Sequence, residues 1–285
     1  MSKIIISSDS TCDLSAELKE KYGIKIIPLG ITLGTQVYRD GVDITPEDIY
    51  AHHEKTGELP KTTASNVGEC IDYFTELKKD GDTIIHFTIS SKMSSTYNNT
   101  CMAAEEFDDV YVIDAQNLST GSGLLVLAAA EMANSGMEAP AIVEELEKLV
   151  PCVDASFVID SLEYLHKGGR CSAVAMLGAN LLKLKPCIEV KNGSMGVGKK
   201  YRGAYGRVLS EYVDERLQNV DDIDTSRVFV THAGCDEDII NAVVEQVKPK
   251  GIFDEVLLTR AGCTVSSHCG ANTLGVLFIS KSPIA

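Results

Sequence analysis

The feature that most constrains the fold is the regular alternation of short apolar strands and helices in the first half of the chain. Four runs of β-branched and apolar residues predict strands, at Ile4–Ser7, Ile24–Leu29, Thr83–Ile89 and Val110–Asp114. The spacing of apolar residues around them predicts helices at Ser15–Tyr22, Ser65–Lys79, Gly121–Ser135 and Pro140–Val150. Strands that alternate with helices form parallel sheets covered on both faces, so we expect an α/β domain with a parallel sheet.

The second half has a different pattern. Ile188–Val190 and Met195–Val197 flank Asn192-Gly193, and this dipeptide between two such runs is typical of a β-hairpin. Other predicted elements are strands at Phe157–Asp160, Val228–Thr231, Val256–Leu258 and Leu274–Ser280, and helices at Val208–Val220 and Glu237–Lys248. A chain of 285 residues favours two domains. We therefore predict a parallel-sheet α/β domain over residues 1–152 and a mixed α/β domain with antiparallel strands over residues 153–285.

The charge is unevenly distributed. The chain has 26 basic and 41 acidic residues, a net charge of −15, which argues against a nucleic-acid partner. Residues 166–207, called the basic segment here, have one acidic residue, Glu189, and nine basic ones: Lys167, Arg170, Lys183, Lys185, Lys191, Lys199, Lys200, Arg202 and Arg207. Such a segment is either ordinary solvated surface or a docking face for an anionic partner, a phosphate-bearing ligand or a membrane surface. We favour the docking face.

The cysteines and the apolar runs predict a cytoplasmic protein. The nine cysteines are odd in number and scattered, without a C-x-x-C pair, so neither a disulfide framework nor a zinc site is expected. The histidines are dispersed too, and we expect no bound metal. No apolar run approaches the roughly 20 residues of a membrane-spanning helix, and Ile4–Ile6 is too short for a signal-peptide core.

A cluster of hydroxyl residues, Ser90 to Tyr97, follows the predicted strand Thr83–Ile89 and precedes a helix predicted at Ser95–Phe107. The free N–H groups of a helix's first turn favour anions, and neighbouring hydroxyls add donors. Ser94 or Ser95 would equally suit an ordinary helix cap. The sequence leaves both interpretations open.

Three further polar clusters are predicted to lie in loops: Pro60–Asn66, Leu165–Arg170 and Ser266–Asn272. Loops at the carboxyl ends of strands line the ligand crevice of an open α/β sheet. Each cluster also suits a plain turn or cap, and a histidine such as His268 is more often structural than functional.

Short motifs occur in a fixed order: Asp9-Ser10-Thr11 with Asp13-Leu14, Pro28-Leu29, Tyr38 with Asp40-Gly41, Pro60-Lys61-Thr62, Ser90-Ser91-x-Met93-Ser94-x-Thr96-Tyr97, Leu162-Glu163-Tyr164-Leu165, Gly168-Gly169-Arg170, Lys185-Pro186 and His268-x-Gly270. Singly they are weak. In this order and spacing they resemble the DegV family of bacterial proteins, and the resemblance covers essentially the whole chain. It implies two α/β domains with a long-chain fatty acid bound at their interface.

The resemblance also implies roles for individual residues. Thr62 and Ser94 would bind the fatty acid carboxylate, with His268 close by and Arg170 near the pocket mouth. The sequence departs from the family at Ser95, where relatives often have glycine, and at Thr63–Asn66, where they often have Ser-Gln-Pro. Neither change removes a hydroxyl, but both alter the head-group surroundings.

Two apolar stretches are expected to line the acyl chain. They are Ala173–Leu184, where Ala175 and Gly178 leave room, and Gly123–Met132. The same residues would also suit ordinary helix cores.

The family includes the fatty-acid-binding subunit of bacterial fatty acid kinase, which presents the carboxylate to a separate ATP-using subunit. We therefore interpret the chain as a carrier rather than an enzyme, binding one long-chain fatty acid in a buried tunnel. The chain has no G-x-x-x-x-G-K-[ST] loop, so ATP chemistry and acyl phosphate formation are assigned to a partner kinase and no cofactor is expected. Lys199, Lys200 and Arg202 are candidate docking residues for that kinase or for a membrane surface during exchange.

Two other functions stay open at this point. One is a serine-dependent esterase or acyltransferase with Ser94 as nucleophile and His268 as base, although the chain lacks a G-x-S-x-G elbow. The other is a protein that binds a small anion with the same loops and has no tunnel.

Overall fold

The computed structural model describes residues 3–79, 82–172 and 184–284, and the elements are numbered along these residues. The strands are β1 (Ile4–Asp9), β2 (Lys25–Ile27), β3 (Gly30–Leu33), β4 (Gln36–Arg39), β5 (Lys61–Thr63), β6 (Thr83–Thr88), β7 (Val110–Asp114), β8 (Val153–Ile159), β9 (Lys185–Lys191), β10 (Ser194–Tyr201), β11 (Ile223–Ala233), β12 (Glu255–Arg260) and β13 (Thr273–Ser280). The helices are α1 (Ala16–Tyr22), α2 (Pro46–Thr56), α3 (Val67–Leu77), α4 (Thr96–Ala104), α5 (Thr120–Asn134), α6 (Ala139–Leu149), α7 (Glu163–Gly168), α8 (Tyr205–Arg216), α9 (Glu237–Val247) and α10 (Cys263–Cys269).

The predicted parallel sheet is confirmed. Its order is β2-β1-β6-β7, and all three pairings are parallel. Two helices in this part of the chain begin with a side-chain cap. The Ser15 hydroxyl accepts from the Leu18 N–H at the start of α1, and Asn66 and Glu69 form a capping box at the start of α3.

A three-stranded antiparallel sheet, β4-β3-β5, was not predicted. Its strands have only three or four residues, too few to show a period in the sequence. The prediction that Pro60–Asn66 is a loop is wrong for Lys61–Thr63, which form β5. Thr62 pairs with the fully buried Ile31 of β3 and so has a fixed register.

The third sheet has six strands in the order β10-β9-β8-β13-β11-β12, and only β11 and β12 are parallel neighbours. The predicted hairpin is confirmed, with β9 and β10 antiparallel around Asn192 and Gly193. Both turn residues have positive φ, 49° and 76°, as the two-residue turn of a hairpin requires. The architecture is therefore the mixed α/β arrangement that the sequence predicts.

The cluster Ser266–Asn272 is not wholly a loop, because Ser266–Cys269 belong to α10. This helix follows β12 late in the chain, yet it contacts α2, β3 and β5.

The strands of the first two sheets fall within residues 4–114 and those of the third within 153–280. The largest apolar core includes Phe87 and Leu125 together with Phe157 and Leu277. The domain division at residue 152 stays a prediction.

No helix in the described part of the chain is both long and apolar enough to span a membrane.

Candidate ligand-binding site

A cavity of about 650 Å³ lies where β5, the loop after β6 and α10 meet. Its polar side includes Thr62, Ser94 and His268, which the sequence places far apart. Its apolar side is formed by Leu29, Ile89, Met93, Leu118, Met195 and Val265. The volume falls within the usual range for small-molecule sites, and an apolar wall with a few convergent polar groups is their usual construction.

Thr62 and His268 are in direct contact. The distance between Thr62 Oγ1 and His268 Nε2 is 2.9 Å, and 206 residues separate them in the sequence. The structure thus brings together two of the residues implied to bind a carboxylate.

His268 is held neutral. Burial, followed by the positive charge of Arg170, lowers its pKa to about 4. Its Nδ1 is buried and has no hydrogen-bond partner among the residues that the structure describes; it faces Gly168, where a Cβ atom would lie 2.5 Å from this nitrogen. A buried N–H without an acceptor is rarer than a buried acceptor without a donor, so we assign the hydrogen to Nε2. His268 then donates to the Thr62 oxygen, and the Thr62 hydroxyl hydrogen is available to a ligand.

Ser94 is both a cap and a cavity residue. Its Oγ accepts from the Thr96 N–H at 3.2 Å and lies 2.8 Å from Thr96 Oγ1, at the start of α4. Ser95 occupies the formal cap position but makes no side-chain cap bond and is exposed. Both serines line the cavity.

The loop that carries Ser94 is attached to the β9–β10 hairpin. Ser90 Oγ donates to the Gly193 carbonyl at 2.7 Å, and Lys92 Nζ donates to the Asn192 carbonyl at 2.7 Å. These two bonds hold the hairpin against the loop, and β10 adds Met195 to the cavity wall.

The residues predicted to lie near the pocket mouth or to dock a partner differ in their position relative to the cavity. Arg170 is exposed, lines the cavity and donates to the Gly168 carbonyl at 2.9 Å. Lys199, Lys200 and Arg202 do not line it. Lys199 pairs instead with Glu211 and Glu215 of α8, so its charge is largely neutralised.

Other lysines of the basic segment have carboxylate partners too: Lys167 pairs with Glu163, Lys185 with Asp160, and Lys191 with Glu189. Most of these acids precede or follow the segment in the sequence. The surface is therefore less positive than the sequence count indicates.

A small, mostly apolar pocket of about 30 Å³ adjoins the cavity and shares Leu118, Val265 and Cys269 with it. Ala155, Phe157 and Leu277 of the six-stranded sheet form its far wall. Nothing in the sequence marks these residues as pocket-lining, since a strand residue that faces a pocket has the same apolar character as one that faces the core.

The two stretches expected to line the acyl chain have different outcomes. Residues 173–183, including Ala175 and Gly178, lie outside the described residues. Residues 123–132 of α5 line neither cavity, and Leu125, Val126 and Leu127 are fully packed in the core.

The arrangement lacks the contacts of a serine hydrolase. Ser94 bonds to Thr96, whereas His268 bonds to Thr62, and no carboxylate within residues 3–79, 82–172 and 184–284 orients the buried Nδ1. Among the described residues, no group of three or more His, Cys, Asp or Glu side chains could hold a metal ion.

The profile of a family described as "Uncharacterised protein, DegV family" matches residues 3–281. The chain belongs to the DegV family. A DegV domain-containing protein of Caldanaerobacter subterraneus subsp. tengcongensis is 31% identical over 283 residues, covering 99% of this chain and 100% of the relative. The resemblance inferred from the motifs is thus confirmed.

Solved DegV structures share the fold. A DegV family protein from Thermus thermophilus, described by its fatty acid binding, has a TM-score of 0.89 and 30% identity, covering 98% of this chain and 99% of that one. A stearic acid-binding protein from Eubacterium ventriosum has a TM-score of 0.82 and 29% identity, covering 99% of each chain. The mixed α/β fold of this chain is thus shared by solved proteins that are described as binding fatty acids.

Proposed function

We propose that this DegV protein binds one long-chain fatty acid, with the carboxylate at Thr62, Ser94 and His268 and the acyl chain along the apolar wall of the cavity. The observation that carries the proposal is the Thr62–His268 contact in a cavity that has one polar side and one apolar side. Fatty-acid-binding relatives with the same fold support it.

The polar end suits a carboxylate. A carboxylate withdrawn from water needs several hydrogen-bond donors. The Thr62 hydroxyl supplies one if His268 donates to its oxygen, and Ser94 supplies another hydroxyl. Because His268 is neutral at pH 7, it contributes to orientation through its hydrogen bond to Thr62 and not through a positive charge.

The apolar wall supplies most of the affinity. Burying ~14 methylenes at about 0.8 kcal/mol each contributes on the order of 10 kcal/mol before entropy losses. We place the chain along Leu29, Met93 and Met195, with its end directed past Leu118 and Val265 toward the small adjoining pocket.

We further propose that the protein acts in the cytoplasm, takes the fatty acid from a membrane surface, and presents its carboxylate to a partner kinase that forms the acyl phosphate. The odd number of scattered cysteines supports this location. The exposed Ser95 and Arg170 lie beside the head group, where a partner would have to reach. For docking, Lys200 and Arg202 are better candidates than Lys199, because Lys199 is already paired with two carboxylates.

Ligand binding is tested by native mass spectrometry of the freshly purified protein, with titration of palmitate and oleate into delipidated protein. We expect one fatty acid per chain. Thr62→Val keeps the shape but removes the hydroxyl, and should weaken binding about tenfold or more. Thr56→Val, which removes an exposed hydroxyl on α2, is the matched control. A protein that ignores both fatty acids but binds acetate or phosphate would refute the proposal in favour of a small-anion site.

Docking is tested with the double variant Lys200→Glu/Arg202→Glu. Phosphorylation of bound fatty acid by a purified fatty acid kinase should fall severalfold or more, while fatty acid affinity stays at the wild-type value. Lys25→Glu, at an exposed position on β2, is the charge control. Equal phosphorylation of wild type and double variant would exclude this docking face.

A further inference from the structure

Helix α10 supplies four residues to the cavity, namely Thr264, Val265, His268 and Cys269. The residue before it, Gly262, has no side chain with which to cap the helix. The N–H groups at its start nevertheless have partners, and these come from the opposite end of the sequence.

Two buried aspartates provide the cap. Asp40 follows β4, and its Oδ1 and Oδ2 accept from the N–H groups of Cys263 and Thr264 at 2.7 and 3.0 Å. Asp13 Oδ1 accepts from the Gly262 N–H at 2.8 Å. Three consecutive N–H groups, which a helix start ordinarily leaves unsatisfied, are thus bound by carboxylates more than 200 residues away in the sequence.

The same carboxylates accept further hydrogen bonds from residues around the cavity. Asp13 Oδ2 accepts from Ser119 Oγ at 2.5 Å, next to the cavity residue Leu118. Asp40 Oδ2 accepts from Ser10 Oγ at 2.9 Å, and Ser10 Oγ in turn accepts from the N–H of the cavity residue Leu29 at 3.1 Å. Both aspartates therefore use both carboxylate oxygens.

Gly262 makes this approach feasible. A Cβ atom at this position would lie 3.0 Å from Asp13 Oδ1 and 3.3 Å from Asp40 Oδ1. The carboxylates therefore lie directly against the backbone at the start of α10, and they determine where the helix begins. One turn and a half further on, the helix presents His268 to Thr62.

We propose that Asp40 and Asp13 are positioning residues for the carboxylate-binding pair: by capping α10 they fix its register against β5 and so form the Thr62–His268 contact. The proposal rests on the proposed fatty acid site for its consequence on affinity. The expected change in the surroundings of the His268 ring does not depend on that site, because it is measured without ligand.

Asp40→Asn tests the proposal, because asparagine keeps the shape and one acceptor but turns an N–H₂ group toward the helix N–H groups. We expect oleate affinity to fall about tenfold. We also expect the imidazole ¹⁵N signals of His268 to shift in the ligand-free protein; these signals are assigned by their loss in His268→Gln. Asp48→Asn is the control, since the Asp48 carboxylate also accepts an N–H group at a helix start, that of Thr45 before α2, and does not line the cavity. It should reduce stability without changing affinity or the His268 signals.

Gly262→Ala is a second variant, which displaces the two side chains while keeping both aspartates. It tests the proposal if Asp40→Asn does not fold. Wild-type His268 signals and wild-type affinity in a folded Asp40→Asn or Gly262→Ala protein would overturn the proposal. If wild type itself binds no fatty acid, the proposed function fails, while the His268 signals of the ligand-free variants still decide the positioning role.

Discussion

At the scale of single residues, the site depends on which polar atoms are left without partners. His268 Nε2 is bound to Thr62, whereas Nδ1 faces Gly168 and has no partner in the described part of the chain. With the hydrogen on Nε2, the ring donates in one direction only. This geometry suits orienting a ligand and does not suit relaying a proton. Another single residue, Leu118, lines both the cavity and the adjoining pocket, so on the proposed function it would limit the length of the ligand.

Replacing Leu118 by alanine should shift the chain-length preference toward longer fatty acids. The shorter side chain joins the two spaces, and each additional buried methylene contributes about 0.8 kcal/mol, or roughly fourfold in affinity. Competition among saturated fatty acids of increasing length measures the shift. Leu124→Ala removes the same atoms from a buried position of α5 that lines neither cavity, and should cost stability alone. An unchanged preference in Leu118→Ala would show that the chain does not pass this residue.

At the scale of elements, the strands and helices with a clear period were predictable, and the short ones were not. The parallel sheet and the Asn192-Gly193 hairpin follow from apolar runs and turn chemistry. β5 and α10 have three and seven residues, and their partners are distant in sequence, so their geometry depends on tertiary contacts. Thr62, Ser94 and His268 were predicted because motifs mark them. Leu118 and Val265 were not, since cavity-lining and core residues share one composition.

The turn of the β9–β10 hairpin requires a glycine at position 193. Gly193→Ala should destabilise the protein by about 1–3 kcal/mol, because the residue has a φ of 76° and its Cβ would lie 2.7 Å from Ser90 Oγ. Denaturant unfolding measures the cost. Gly34→Ala, in the β3–β4 turn at φ 59° with nothing within 4 Å, carries the backbone strain alone. Equal costs for the two variants would mean that contact between the hairpin and the Ser90 loop contributes nothing.

At the scale of the whole molecule, buried acids link stability to pH. Asp9 is fully buried and accepts from Thr11 and from the N–H of the cavity residue Ile89. Burial raises its pKa to about 6, and burial also raises the pKa of Asp13 well above its usual range. An acid whose folded pKa exceeds its unfolded pKa takes up a proton more readily in the folded state. Its contribution therefore makes the protein more stable as the pH falls from about 7 toward 4.

Asp9→Asn should flatten this part of the stability profile. The group contributes on the order of 3 kcal/mol of pH-dependent stability, so the variant should gain less stability than wild type between pH 7 and pH 5. Asp48→Asn is the control, because hydrogen bonds from Thr45 lower the pKa of Asp48 and its titration falls below this window. Urea unfolding at both pH values measures the slopes, and parallel slopes for wild type and Asp9→Asn would contradict the assignment.

The 206 residues between Thr62 and His268 also affect how the protein is made. Protein synthesis proceeds from the amino terminus at about 5–20 residues per second, and early segments can fold before late ones exist. The parallel sheet can therefore form on the ribosome, but the head-group contact cannot form until α10 has been synthesised. If the proposed function holds, a fatty acid that binds at that moment stabilises the fully assembled chain over partly folded ones, and so favours completion of folding by mass action. Lipid supply would then influence how much of the newly made protein reaches its folded form.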